Sequence, residues 1–196
     1  MISFRHTKTD GAEYLSHLDL LRHIDRTLKR ARIAVKTSEG FHPHPKIFMN
    51  NPLGLGIKSI AEYCAVETDF NGDFKKAFNE NSPNGIKCLD FKTVDREPNF
   101  AHTIERCGYS AEWNAPFDTE EFLNRSKIVV TDKRGRTLDV RPRIYSLELK
   151  DGTLSFTLGC GENNLRPDLF CEILQNEYGG KAGNITKISA YGKYTF

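Results

Sequence analysis

The chain has 196 residues with 28 Lys/Arg against 26 Asp/Glu, a formal net charge of +2. This balance excludes the uniformly basic composition of many nucleic-acid binders, so charge has to be read locally. The length allows one larger domain or two of about 100 residues, and either can bury a core.

The opening MISFRHTKTDGAEY contains no apolar run of the kind a secretory leader needs. No stretch approaches the ~20 apolar residues of a membrane span. The expectation is a soluble, cytoplasmic protein. The five cysteines, Cys64, Cys88, Cys107, Cys160 and Cys171, lie 24, 19, 53 and 11 positions apart. None of these gaps is a short ligand spacing, which argues against a zinc ribbon or an iron–sulfur cradle. Reduced, buried thiols are expected instead.

The chain begins with a short alternating run over Ile2 to Arg5. SHLD then signals a helix start, with Ser16 as cap and Asp19 three residues on. Leu18, Leu21, Ile24, Leu28 and Ala31 follow at helical spacing and predict the buried stripe. An extended segment is expected near Lys46 to Met49, then the turn-rich NNPLGLG. AEYCAVET reads as a strand, GDFKKAFNEN as a short helix and GIKCLDFKTV as another strand. This is the order β-α-β-β-α-β.

After DREPN the order starts again. HTIERCGYSAEW reads as a strand, and DTEEFLNRS as a helix capped by Asp118 with Glu121. IYSLELKDGTLSFTLG reads as a hairpin on Asp151-Gly152 with alternating Leu147, Leu149, Leu154, Phe156 and Leu158. RPDLFCEILQNEYGG places Pro167 first in a helix and Gly179 just past its end, and ITKISAYGKYTF closes as a strand. The expected fold class is α+β, two tandem ferredoxin-like halves with antiparallel sheets. The halves are 1–98 and 99–196, the second carrying an arginine-rich insertion near DKRGRTLDVRPR.

Local charge is uneven. From Ser16 to Phe48 there are seven Lys/Arg against three Asp/Glu. Arg22, Arg26, Lys29 and Arg30 share a ridge opposite the apolar stripe, which suits successive phosphates but also an ordinary solvated face paired with Asp19 and Asp25. In the insertion, Arg141 and Arg143 are expected on one side of an extended chain beside Tyr145, with Arg134 and Arg136 on the preceding loop. Arginine's planar fork suits phosphates and stacked bases. GCGENNLRP can hold an anion at a helix start with Arg166 beside it, or serve as a plain cap. GGKAG precedes the last strand, and neither loop fits a P-loop or dinucleotide fingerprint.

TSEGFHPHPKI is the most conspicuous stretch. If it is extended, His42 and His44 point the same way. A metal pair completed by His17 or His23, acid–base work on a phosphodiester, and recognition or structural use all remain open. A metal centre needs more ligands than the loop supplies, so no metal is expected. If the chain is an enzyme, His44 and His17 are its catalytic candidates.

YLSHLDLLRHIDRTLKRARI, SEGFHPHPKI, PLGLGIKSIAEY and DVRPRI together resemble the bacterial family of radical SAM-linked proteins. The positions carrying the likeness are Ser16, His17, Leu18, Asp19, Arg22, Arg30, Ser38, Gly40, Phe41, Pro43, His44, Pro45, Glu62 and Tyr63. Further along they are Asp139, Arg141, Pro142, Arg166 and Pro167. The family's members are encoded beside a radical SAM enzyme or fused to one. The resemblance therefore implies such an enzyme as partner, while this chain lacks the three-cysteine loop of the catalyst and needs no cofactor of its own. Together with the basic patches it implies an RNA-binding accessory that presents tRNA or rRNA. No membrane or DNA is expected among its partners. A metal-independent endoribonuclease and a pure protein-interaction module are the alternatives. The expected RNA contacts are Arg22, Arg26, Lys29, Arg30, Phe41, His44, Lys46, Arg141, Arg143, Tyr145 and Arg166.

Overall fold

The computed structural model describes residues 1–131 and 135–196, so Arg134 lies outside the described residues. The chain forms two compact units. One comprises Met1–Ile104 with Lys193–Phe196, and the other Glu105–Gly192.

The first unit runs β1 (Ile2–Lys8), α1 (His17–Arg30), β2 (Ile47–Met49), β3 (Lys58–Val66), α2 (Phe74–Asn81), β4 (Cys88–Thr93) and α3 (Phe100–Thr103). Strand β1 is central, antiparallel to β4 on one side and to β3 on the other, and β2 pairs antiparallel with β3. Alternation along β1 turns Phe4 onto the helix-covered face, where it is fully buried. Its ring meets Phe74 at 5.0 Å and Phe78 at 5.2 Å, both from α2. Helix α1 adds Leu20, Ile24 and Leu28 to the same core.

The stripe on α1 is rotated from the expected one. Leu18 is 61% exposed, whereas Leu20 and Thr27 are buried. Helix α1 begins where Ser16 predicts: its hydroxyl accepts the Asp19 N–H at 3.1 Å and donates to the Asp19 carboxylate at 2.7 Å. The start fixes the phase of every later residue, and a periodic reading that includes Leu18 and Leu21 is shifted from that phase.

The second unit runs β5 (Ile104–Glu112), α4 (Thr119–Leu123), β6 (Val129–Thr131), β7 (Thr137–Asp139), β8 (Ile144–Lys150), β9 (Thr153–Gly159), α5 (Pro167–Tyr178) and β10 (Thr186–Gly192). Its sheet has the order β10-β5-β9-β8, with β5–β9 and β8–β9 antiparallel. The β8–β9 hairpin turns on Asp151 and Gly152, and α5 runs from Pro167 to the Gly179 cap. The arginine-rich insertion forms its own two-stranded sheet, β6 with β7. Phe156, Phe170, Phe122 and Leu174 fill the core beneath α4 and α5.

The architecture is thus mixed α+β, with antiparallel pairing in each of the strand pairs named above. All five cysteines are free, and four of them, Cys64, Cys88, Cys107 and Cys171, are buried. Burial pushes the Cys88 and Cys171 thiols up to about 12.

Phe4 touches both rings of α2, so truncation opens a cavity that neighbouring strands cannot close. Phe4→Ala is expected to cost about 3–5 kcal/mol in urea unfolding. A loss below about 1 kcal/mol would contradict this packing.

Candidate functional site

Two places in the first unit concentrate chemistry. The first lies where α1 ends beside the TSEGFHPHPKI loop. That loop is not extended. The Ser38 N–H donates to the His44 carbonyl at 2.8 Å, the His44 N–H donates to the Ser38 hydroxyl at 3.0 Å, and Thr37 bridges Pro45. Gly40, at φ +115°, supplies a backbone turn open to few other residues. The segment is folded back on itself, and its tip presents a fully exposed Phe41 with His42 and His44 also exposed. At its base Lys46 pairs with Glu67 at 2.8 Å, which raises the lysine's pKa and lowers the glutamate's through their hydrogen bond.

Between this loop and α1 lies a groove of about 490 Å³, lined by Asp25, Leu28, Lys29, Arg32, Pro43 and Pro45 among others. Helix α1 terminates in a left-handed residue, and that residue is Arg32 at φ +55°. Glycine normally occupies such a cap because a Cβ costs roughly 1 kcal/mol there. The arginine is exposed, and no hydrogen bond or ion pair holds its guanidinium among the described residues.

The cations of the ridge differ in how far they are committed. Arg22 pairs with Asp19 at 3.0 Å and Lys29 with Asp25 at 2.6 Å. The Arg30 guanidinium donates twice to the Asn81 carbonyl, at 3.0 and 2.7 Å, and so ties α1 to α2. Arg26 is exposed with no such partner among the described residues. Arg26 and Arg32 are therefore the cations left for a ligand.

The second place is a polar cluster at the end of β1 and β3. Glu62 is 2% exposed, and its carboxylate accepts from Asn50 Nδ2 at 3.1 Å and from the Ser59 hydroxyl at 2.8 Å. Asn50 in turn accepts the Tyr63 N–H at 2.9 Å. Lys8, also 2% exposed, sits opposite Ser59 in the β1–β3 register. Burial lowers its pKa while the charges of Glu62 and Glu13 oppose that shift. Glu13 is buried too, and its carboxylate accepts the Gly11 N–H at 2.8 Å. His17, the first residue of α1, faces the cluster half-buried. Desolvation lowers its pKa, with Glu62 acting the other way. The geometry joins His17 of SHLD to Glu62 of the AEY segment, while His44 stands on the exposed loop. Among the described residues no group of His, Cys, Asp or Glu could hold a metal ion.

In the second unit the predicted arginines Arg141, Arg143 and Arg166 each have partners within the fold. Arg141 and Arg143 lie in a tight 3₁₀ turn rather than an extended chain. Asp139 accepts the Ile128 and Arg141 N–H groups, each at 3.0 Å, which holds its carboxyl below the usual range. The Arg141 guanidinium donates to the Leu123 and Ile144 carbonyls, each at 2.8 Å, pinning the insertion to the end of α4. Arg143 donates to the Asn164 carbonyl at 2.9 Å. Arg166 forms a two-point pair with Asp168, whose carboxylate occupies the start of α5 where an external anion would sit. Tyr145 remains exposed, with the Arg106 guanidinium 4.9 Å from its ring centre.

Sequence reading missed Arg32, Lys8 and Glu13. Arg32 had a partial signal, because many helices end on a left-handed residue and the predicted stripe of α1 ends at Ala31. The burial of Lys8 had none, since nothing in a short alternating run marks a lysine as enclosed.

Residues 2–167 match the model of a family described as "Uncharacterized protein conserved in bacteria (DUF2344)". The chain belongs to the DUF2344 family. No curated protein matches this DUF2344 chain. Among solved structures it is similar to a chain of a Cbf5–Nop10–Gar1 complex, at TM-score 0.50 and 13% identity, over 96% of this chain and 48% of that one. It is also similar to a chain of an H/ACA RNP bound to a substrate RNA containing 2′-deoxyuridine, at TM-score 0.48 and 12% identity, over 95% and 46%. An archaeal box H/ACA sRNP Nop10–Cbf5 complex gives 0.47 and 13%, over 95% and 46%. The DUF2344 chain thus spans about half the length of the chains it matches, and at such identity the likeness is one of fold.

Two tests follow from this geometry. Because His17 is depressed in the folded state, the unfolded chain binds the proton first as pH falls, so stability drops below about pH 6.5. His17→Gln is expected to flatten that part of the stability curve, and an NMR titration should place the imidazole midpoint below 6.5. A midpoint above 6.5 would remove the buried-imidazole assignment. Arg141→Ala strands two carbonyls and is expected to cost about 2 kcal/mol in chemical unfolding. An unchanged unfolding midpoint would show that the pin contributes nothing.

Proposed function

We propose that this chain is an RNA-binding accessory protein that presents tRNA or rRNA to a partner radical SAM enzyme in the cytoplasm. We read both units as ferredoxin-like halves, since β4-β1-β3 with β2 against β3 and β10-β5-β9-β8 are one strand order used twice. The partnership rests on the resemblance carried by the SHLD, GFHPHP and DVRPR segments. No helix among the described residues is long and apolar enough to cross a membrane.

The observation that carries the RNA reading is Arg32. An arginine held at φ +55° keeps a cost that glycine would avoid. Its uncommitted guanidinium lines the groove beside a fully exposed Phe41. Arg26 stands uncommitted on the same helix. The Arg32 guanidinium in the groove and the exposed ring on the loop that walls it offer a phosphate contact and a stacking surface of the kind that holds single-stranded RNA, and Arg26 adds a second cation on α1. Arg22, Lys29 and Lys46 add field despite their acidic partners, whereas Arg30, Arg141 and Arg143 serve the fold first.

The test is the double variant Arg26→Ala/Arg32→Gly, assayed by fluorescence anisotropy on RNA that co-purifies at low salt. Fold stability should be unchanged or slightly raised. Affinity should fall, and the slope of log K against log salt should become shallower by about 1.4, the effect of two lost phosphate contacts on a single strand. Unchanged affinity and slope would overturn the assignment.

A further inference from the structure

The sheet of the second unit has a face without helices. Cys107, Tyr109 and Ala111 of β5 are buried on the helix side with Leu154, Phe156 and Leu158 of β9, so Arg106, Gly108 and Ser110 point the other way. On that open face one row is free of bulk. Ser146 of β8 lies opposite Thr157 of β9, and Thr157 lies opposite Gly108 of β5. Ser189 of β10 completes the row, because a Cβ on Gly108 would meet its hydroxyl at 2.3 Å. Four strands thus share a floor of two serines, a threonine and a glycine, roughly 14 Å across at ordinary strand spacing.

Aromatic groups bound this strip at both ends. Tyr145, 45% exposed, stands on β8 with the Arg106 guanidinium stacked against it. Tyr191, 48% exposed, stands on β10, its hydroxyl 3.2 Å from that of Ser189. Charge differs along the strands: Arg106 and Arg143 belong to the end where β5 and β8 begin, while the hairpin end carries Glu112 and Glu148 together with Lys150.

We propose that this face is a stacking platform for single-stranded RNA, a second contact region distinct from the groove beside α1. It rests on the RNA-binding reading above and extends it. Bases lie flat on Tyr145 and Tyr191 across the hydroxyl-lined strip. Their phosphates pass the Arg106 end, where among the described residues no carboxylate of the open face stands beside the guanidinium, rather than the hairpin end with Glu112 and Glu148. The floor between the rings carries small hydroxyl side chains and a glycine, so bases can lie flat against both rings and the strip between them. A duplex keeps its base faces stacked internally and cannot use tyrosine rings. Unpaired bases fit both features, and each has a π-face to offer.

The experiment compares a short mixed-sequence single-stranded RNA with its own duplex, using wild type and three double variants. These are Tyr145→Ala/Tyr191→Ala, Tyr145→Phe/Tyr191→Phe, and Arg26→Ala/Arg32→Gly. Wild type is expected to prefer the single strand. The alanine pair should bind it at least about tenfold more weakly with an unchanged salt slope, while the phenylalanine pair keeps affinity because the rings remain. Thermal melts of both tyrosine pairs report folding, and loss of affinity in an alanine pair that melts like the phenylalanine pair is the supporting result. Full affinity in the alanine pair, with a loss in the arginine pair, would overturn the platform and leave the RNA reading standing. Equal binding of duplex and single strand would also overturn the platform. If wild type binds neither RNA, both proposals fall.

Discussion

A buried carboxylate organises the first unit. A carboxyl group buried as deeply as Glu62 cannot be left dry and without partners, so the surrounding chain has to bring it donors and a cation. Asn50 and Ser59 supply the donors, and Lys8 supplies the charge from β1. The same demand fixes what lies around it. Asn50 is held because its own oxygen takes the Tyr63 N–H, which sets the path of NNPLGLG out of β2. Glu13 and His17 complete the enclosure from the turn before α1 and from its first residue. The register of β1 on β3, the entry angle of α1 and the loop after β2 are therefore solutions to one electrostatic problem. Breaking it from one side would leave an uncompensated charge behind.

How cations are used separates the two units. In the second unit arginines act as struts: their forked donors reach carbonyls at helix and turn ends that have no partner within their own element. In the first unit Arg30 does the same between α1 and α2. Along α1 and its C-terminal cap, the cations left for a ligand among the described residues are Arg26 and Arg32, the second of them in the groove walled by the Phe41 loop. The groove carries Lys29 and Arg32 against Asp25, a local excess of positive charge in a chain of nearly neutral composition.

Much of the element order was readable, and the reasons are local. Ser16, Asp73 and Asp118 announce helix starts through their side-chain oxygens, and each accepts backbone N–H groups there. The Asp151-Gly152 turn and the Pro167 to Gly179 helix follow equally local rules. The candidate site was less legible. The HPHP loop looked extended because proline favours extended backbone, yet Ser38 closes it through a hydrogen bond to His44 six residues away. Arg141 looked like a surface cation because its acceptors, the Leu123 and Ile144 carbonyls, are set by where α4 ends and β8 begins. The partners of Lys8 come from β3 and the segment before α1. Short-range chemistry predicts elements; enclosure of a charge depends on contacts that no window of sequence contains.

The segment Lys193–Phe196 belongs to the first unit although all of Glu105–Gly192 precedes it in the chain. Phe196 stacks on Tyr63 at 5.7 Å, its N–H reaches the Tyr63 hydroxyl across 133 positions, and Lys92 lies over its ring. During vectorial synthesis the first unit therefore emerges early but stays unfinished until the second has been made. Closing so long a loop is entropically slow and favours a partly open intermediate. The second unit is in sequence an insertion between the body of the first unit and the segment that completes it. The Tyr63 ring gains its stacking partner from a segment made only after the whole of the second unit.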